Sequence, residues 1–286
     1  MHFVIFSVLC SVTVSVLLKL APRGRIDINQ AIAVNYLVAA ALTLWLLHPQ
    51  PQVLAVPAMH RAWPALLALA LLLPTMFAVL AASVRRAGVV RTDAAQRLSL
   101  LLSLLAAFTV FGELLTWQKG AGIAVGLLAI GCIVWRERGP APASTWTWTW
   151  PLAVFAGTGV IDILFKRVAL TGAAFADALL VVFALAFAIS ALAVIVLGVR
   201  GRARFGWRHL GGGVLLGLFN FGNILFYVRG HQALPQHPAL VFSAMNIGVI
   251  ALATLIGVWL FDERLNRWNR IGLVLAAVAV LAIATG

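Results

Sequence analysis

The sequence predicts an all-α integral membrane protein of ten transmembrane helices arranged as two inverted five-helix repeats, and three observations carry that reading. Of its 286 residues 63% are hydrophobic and 10% charged. That is more apolar surface than one or two water-soluble cores can hide, so the solvent is lipid. The apolar residues fall into ten stretches of about 20 residues, the length that crosses a bilayer as a helix. The chain also repeats itself. Phe111-Gly112-Glu113-Leu114-Leu115, then Gly122, returns as Phe261-Asp262-Glu263-Arg264-Leu265, then Gly272, and Gln96 and Asn246 each stand 17 residues before the acid.

In chain order the predicted spans are 2–20, 28–47, 65–84, 93–112, 117–135, 151–171, 177–198, 209–228, 238–260 and 269–285. The first is an anchor and not a cleaved signal, because its bases, Lys19, Arg23 and Arg25, come after the apolar run. Breaks are clear at Pro22 to Gly24, from Pro49 to Pro57, from Arg85 to Arg91 and from Gly139 to Pro151. These divide the chain into a first repeat, 1–138, a Thr/Trp-rich linker, 139–150, and a second repeat, 151–286. The alternating tract Thr145 to Trp150 places indoles where the headgroups lie.

Charge sets the orientation. Loops after odd-numbered spans carry fourteen bases, among them Arg85, Arg86, Arg136, Arg138, Arg200, Arg208, Arg264 and Arg270, against four after even-numbered spans, Arg61, Lys119, Arg167 and Arg229. The positive-inside rule then puts the odd loops in the cytoplasm of a cell whose inner (plasma) membrane holds the protein, with both termini extracytoplasmic. Five spans per repeat is an odd number, so the second repeat enters the membrane upside down relative to the first. The net charge of +13 is thereby topology information and not a nucleic-acid footprint.

A charge or amide inside a span is costly and calls for a reason. In the first span Ser11, Ser15 and Lys19 recur every fourth residue, either a polar stripe for substrate or serines on backbone carbonyls with a snorkelling lysine. In the sixth, Asp162 and Lys166 have the spacing of an ion pair, structural or opened by substrate or proton. Asp93, Gln96 and Arg97 share a face of the fourth span near its cytoplasmic end, as a gate or a surface pair. Asn220, Asn223 and Tyr227 line the eighth span, with Ser243 and Asn246 in the ninth and Asn35 beside Tyr36 in the second. These suit either a cavity wall for a small polar molecule or hydrogen bonds between helices. Glu113 and Glu263 sit at helix ends, where capping and loop anchoring are expected in place of proton coupling.

Ten spans in a five-plus-five duplication, with Phe-x-Glu-x-Leu closing the fourth and ninth and a glycine following in the fifth and tenth, resemble the EamA branch of the drug/metabolite transporter superfamily over nearly the whole chain. The second half is the closer match, at Tyr227 to Gly230, Met245 to Val249 and Gly257 to Glu263; the first departs in carrying Arg97 beside Gln96. The resemblance implies a carrier of small metabolites. Small multidrug relatives in that superfamily depend on a glutamate in their first helix, and the first span here holds no acid, which disfavours cationic drug export.

The expected substrate-binding set is Lys19, Asn35, Lys166, Asn220, Asn223, Tyr227 and Asn246, with Asp162, Asp93, Gln96 and Arg97 in coupling or gating. The surplus of cations inside the spans favours an amino acid or organic anion. Lipid or lipid-linked substrate flipping is the alternative. The six histidines show no metal or acid/base spacing, so neither an enzyme nor a cofactor is expected. Membrane lipid and a small-molecule substrate are the expected partners, nucleic acid is not one, and proton or ion coupling and homodimer formation stay open.

Overall fold

A computed structural model describes residues 2–50, 57–110, 116–135, 148–201, 206–234 and 236–285. Glu113 and most of the 139–150 linker lie outside them. Among the described residues the elements are all helical: α1 (His2–Leu20), α2 (Ile28–Leu47), α3 (Pro57–Arg86), α4 (Val89–Leu98), α5 (Leu100–Thr109), α6 (Trp117–Val134), α7 (Thr149–Leu170), α8 (Phe175–Val199), α9 (Trp207–Ala233), α10 (Pro238–Phe261) and α11 (Arg267–Thr285). Nine of these follow the predicted spans. The fourth predicted span, 93–112, is instead two ten-residue helices that begin at Val89 and break at Ser99. There the Ser99 amide and hydroxyl both turn onto the Gln96 carbonyl, at 3.3 and 2.7 Å. A carbonyl engaged three residues on tightens the turn and interrupts the regular ladder.

Helix ends are set by short polar residues. Asp27 caps α2 by accepting from Asn29 N at 2.8 Å and Gln30 N at 3.3 Å, and Thr116 caps α6 through Lys119 N. Between α1 and α2 the chain closes in a Schellman turn, with Ile26 N on Ala21 O and Arg25 N on Pro22 O. Arg25 takes the left-handed position (φ 51°) that glycine usually fills.

Seven helices, α1, α2, α3, α8, α9, α10 and α11, are long and apolar enough to cross a membrane, and α6 holds a shorter apolar stretch. The distribution of side chains is that of a protein dissolved in lipid. On α1, Ile5, Phe6 and Leu9 are exposed while Ser7, Ser11 and Ser15 are buried; on α8, Leu192 and Ile195 are exposed while Asp177 and Ser190 are buried. Apolar groups outside and polar groups inside is the arrangement hydrocarbon favours. The chain is a multi-pass membrane protein.

It divides into two compact units. Unit 1 comprises Met1–Lys19, Val79–Gly159 and Gly222–Gly286. Its core gathers Leu98, Leu101, Ile123, Ile133, Ile250 and Ile283. The contact of α6 with α11 is reciprocal: a Cβ on Gly122 would stand 2.7 Å from Ile283, and one on Gly272 would stand 2.8 Å from Ile133. The two glycines that follow the repeated acids therefore do the same work on opposite sides of one interface. Unit 2 comprises Leu20–Ala78 and Val160–Phe221. In it α9 approaches the α2 backbone through Gly213 and Gly217, where a Cβ would meet Ala31 O at 2.8 Å and Asn35 O at 2.9 Å. Small residues four apart are the usual means of such close helix contact in membranes.

Candidate functional site

The polar stripe of α1 runs through unit 1, and each member meets a partner from elsewhere in the chain. Ser7 Oγ donates toward Asn223 Oδ1 and the Asn223 carbonyl at 2.9 and 3.0 Å. Ser11 Oγ accepts from the Arg97 guanidinium, and Ser15 Oγ donates to Asp93 Oδ1 at 2.6 Å. Lys19 pairs with Glu263 and lies over the Phe261 ring, 4.4 Å from its centre. Residues four apart on a helix stack along one face, so the i+4 rhythm of Ser7, Ser11, Ser15 and Lys19 is what aligns these four contacts.

Glu263 is the hub of the stripe's end. Its two oxygens accept from Val89 N at 2.7 Å and Val90 N at 3.1 Å, the first amides of α4, while Oε1 also takes Lys19. A helix N-terminus presents unpaired N–H groups and partial positive charge, which a carboxylate satisfies. Two backbone features bring the acid there. Asp262 adopts the left-handed conformation (φ 52°) and turns the chain sharply after α10, and Gly88 (φ 98°) precedes α4 without a side chain to block the approach. The helix that Glu263 caps is thus α4, and not either neighbour in sequence.

Asp93 is buried (2% exposed). Its Oδ1 holds Ser15, and its Oδ2 has no hydrogen-bond partner among the described residues. The charges that act on it are those of Arg97, one turn along its own helix, and Glu263.

Unit 2 holds a second, uncharged cluster. Asn220 Nδ2 donates to Asn35 Oδ1 at 3.1 Å, a contact made by the glycine approach of α9 to α2. Asn35 and Tyr36 are both fully buried, and Asn35 Nδ2 and the Tyr36 hydroxyl lack partners among the described residues. The Tyr36 ring packs edge-on to Phe77, 5.8 Å between centroids, and against Phe183 at 6.1 Å. Each of these residues can still make a hydrogen bond.

The model of the EamA-like transporter family matches residues 1–135. The first half of the chain belongs to the EamA-like transporter family. The matched stretch is the first half, although the motif resemblance is denser in the second. The chain is also 40% identical over 287 residues to an uncharacterized protein of Haemophilus influenzae, an alignment that covers 99% of this chain and 97% of that one.

In this EamA-like protein the other sequence-predicted residues lie on α4, α7, α9 and α10. Asn246, buried, donates to Phe242 O of its own helix at 2.8 Å. Tyr227 meets the His231 ring edge-on at 4.5 Å, and His231 Nδ1 lies 3.0 Å from the Tyr227 carbonyl. Gln96, Asp162 and Lys166 are half-buried. Among the described residues no group of three or more His, Cys, Asp or Glu could hold a metal.

Three participants escaped the sequence reading. Ser7 continues the stripe by one more turn, a signal that was legible. Gly88 with the Val89 and Val90 amides was not, since backbone donors have no signature in side-chain chemistry. Asn269 accepts from Arg91 at 2.9 Å and donates to the carbonyls of Ile133 and Trp135, both at 2.9 Å. It ties the end of α6 to α11 and α4, a structural role.

Proposed function

We propose that this protein is a secondary-active carrier of a small polar metabolite, an amino acid or organic anion, working by alternating access in the inner membrane. In this reading residues 1–138 and 151–286 are inverted five-helix repeats joined by 139–150, ten spans in all, with extracytoplasmic termini, and they rock about a central site. The observation that carries it is the buried polar line of α1 with Asp93, Arg97 and Glu263. Burying charged side chains is costly unless they are paired or used, and moving a polar solute is a reason for a protein with a transporter-family half to keep them there.

Asn35, Asn220 and Tyr36, with hydrogen-bonding capacity in reserve, are the proposed substrate contacts, together with Lys19, Lys166, Asn223, Tyr227 and Asn246. Asp93 is the proposed site of the coupling proton or cation, because one of its oxygens is buried and unspent. Asp162, Gln96 and Arg97 take gating roles.

The test is radiolabelled uptake and counterflow in proteoliposomes with a pool of amino acids and small organic anions, comparing the intact protein with Lys166→Ala. Protein-dependent accumulation that the substitution abolishes supports a carrier with a charged site, and the retained label names the cargo. If no solute moves while fluorescent lipids are flipped at the same protein density, lipid handling replaces the metabolite reading.

A further inference from the structure

Unit 2 holds a cavity of ≈ 480 Å³ lined by Arg23, Gly24, Arg25, Ile26, Arg208, Gly211 and Gly212. Three arginines from two separated parts of the chain line it. None of their guanidiniums has a hydrogen bond, ion pair or ring contact among the described residues. The polar groups beside them are committed elsewhere. Asp27 gives its carboxylate to the first amides of α2, and its own N–H is donated to His209 Nδ1 at 3.0 Å. His209 is thereby held with any proton on Nε2.

The cavity is also shaped by its backbone. The Schellman turn fixes Arg23 and Arg25 on a short loop, with Arg25 in the left-handed conformation that a bulky residue adopts only at a cost of about 1–2 kcal/mol. Gly212 gives room to Ile26, and nothing lies within 4 Å of where a Cβ on Gly211 would be. The opening turn of α9 adds the positive end of a helix to the arginines.

We propose that this cavity is a binding site for a phosphate group. Fork-shaped guanidinium donors match phosphate oxygens in pairs, and the volume accommodates a glycerophosphate headgroup. Its place favours a lipid source. It lies where two spans, α2 and α9, begin, and the exposed Trp207 indole next to Arg208 suits the headgroup layer. Basic pockets at the ends of spans are where anionic headgroups are held. The site does not depend on what the protein carries.

The experiment uses the full chain, purified in detergent and stripped of lipid. Bound lipid is counted by native mass spectrometry, with thermal stabilisation followed in parallel, in micelles doped with phosphatidylglycerol or phosphatidylcholine, and separately in inorganic phosphate. The expected result is preferential binding of phosphatidylglycerol, weakened about fivefold by Arg208→Gln and about 25-fold by the Arg25→Gln/Arg208→Gln pair. The Arg25→Lys/Arg208→Lys pair retains most of the binding, and neutralising Arg264 and Arg270 instead leaves it within twofold. Stabilisation by millimolar phosphate that the glutamine pair abolishes, without preference between the lipids, assigns the site to free phosphate. The proposal is overturned if wild type and the glutamine pair bind phosphatidylglycerol and phosphate equally, or if the Arg264/Arg270 variant loses as much. Arg208→Gln alone, at an exposed position, decides the matter should the pair fail to fold.

Discussion

The polar groups of α1 in unit 1 and those of α2 and α9 in unit 2 answer the same problem in opposite ways. On α1 the stripe ends in charge, and its members are matched: serines to Asn223, Arg97 and Asp93, and Lys19 to Glu263. In unit 2 the residues are neutral, and Asn35 Nδ2 and the Tyr36 hydroxyl are left without partners among the described residues. An unmatched ion in a low-dielectric interior costs several kcal/mol, whereas an unmatched amide or phenol costs about 1–3. A protein can therefore leave neutral capacity in reserve, and capacity in reserve is what a passing substrate can use. Charge ties the α1 stripe together; neutrality leaves the Asn35 and Tyr36 cluster receptive.

The sharpest way to break this contrast is Glu263→Ala. Removing the acid strands Lys19 and the two amides at the start of α4, and breaking a mostly buried pair from one side costs about 3–5 kcal/mol. The expected outcome is a large fall in the thermal midpoint of the detergent-purified protein and in its monodisperse yield. Lys19→Ala removes the other partner but leaves Glu263 on the Val89 and Val90 amides, so its cost is smaller, about 1–2 kcal/mol. Equal midpoints for the two variants would show that the helix end contributes nothing to holding the acid.

Gly88→Ala attacks the same junction from the backbone. Its φ of 98° is unfavourable for a residue with a side chain, and a Cβ there would run into the Glu263 carboxylate. A loss of about 2 kcal/mol or more is expected. Thermal unfolding of the Gly88→Ala/Glu263→Ala pair should show strong non-additivity, because the second change removes the obstacle that the first one meets. Additive costs would mean that backbone strain alone is responsible.

Asp93→Asn separates stability from function within unit 1. Asparagine keeps an oxygen for Ser15 and loses the charge. Counterflow exchange of the substrate should persist within a few-fold while accumulation driven by an imposed ion gradient is lost. Retained accumulation at the wild-type level would remove Asp93 from coupling.

How far these contrasts were legible in the sequence depends on the range of the interaction. The α1 stripe was readable because helical periodicity is local: Ser11, Ser15 and Lys19 are four residues apart wherever the helix lies. The Lys19 and Glu263 contact was not, because 244 residues separate the two, and nothing in either neighbourhood says that a turn after α10 delivers its acid to the foot of α4. The break at Ser99 also escaped detection, since a hydroxyl that bends a helix reads the same as one that decorates it. Asn220 and Asn223 were legible as one face of a helix, yet they serve different neighbours, Asn35 and Ser7. Three residues advance about 300° around a helix, so such a pair stands some 60° apart and can reach to either side.

The smallest expected effects on stability lie in unit 2, and there stability and transport should part. Asn220→Ala forfeits one interhelical hydrogen bond, worth about 0.6 kcal/mol in a membrane protein, and should raise the apparent KM of the transported solute at least tenfold if the amide pair touches cargo. Tyr36→Phe is the more discriminating change. The hydroxyl is buried and unpartnered among the described residues, so deleting it removes an unsatisfied group while the ring keeps its packing on Phe77 and Phe183. Unfolding should be unchanged or shifted upward by about 1 kcal/mol. Transport should nonetheless fall, with the loss in KM, because the oxygen that cost stability in the empty protein is the one a substrate would satisfy. A variant that is more stable and equally active would show that the Tyr36 hydroxyl meets no cargo, and the reserve of hydrogen bonding in unit 2 would then rest on Asn35 alone.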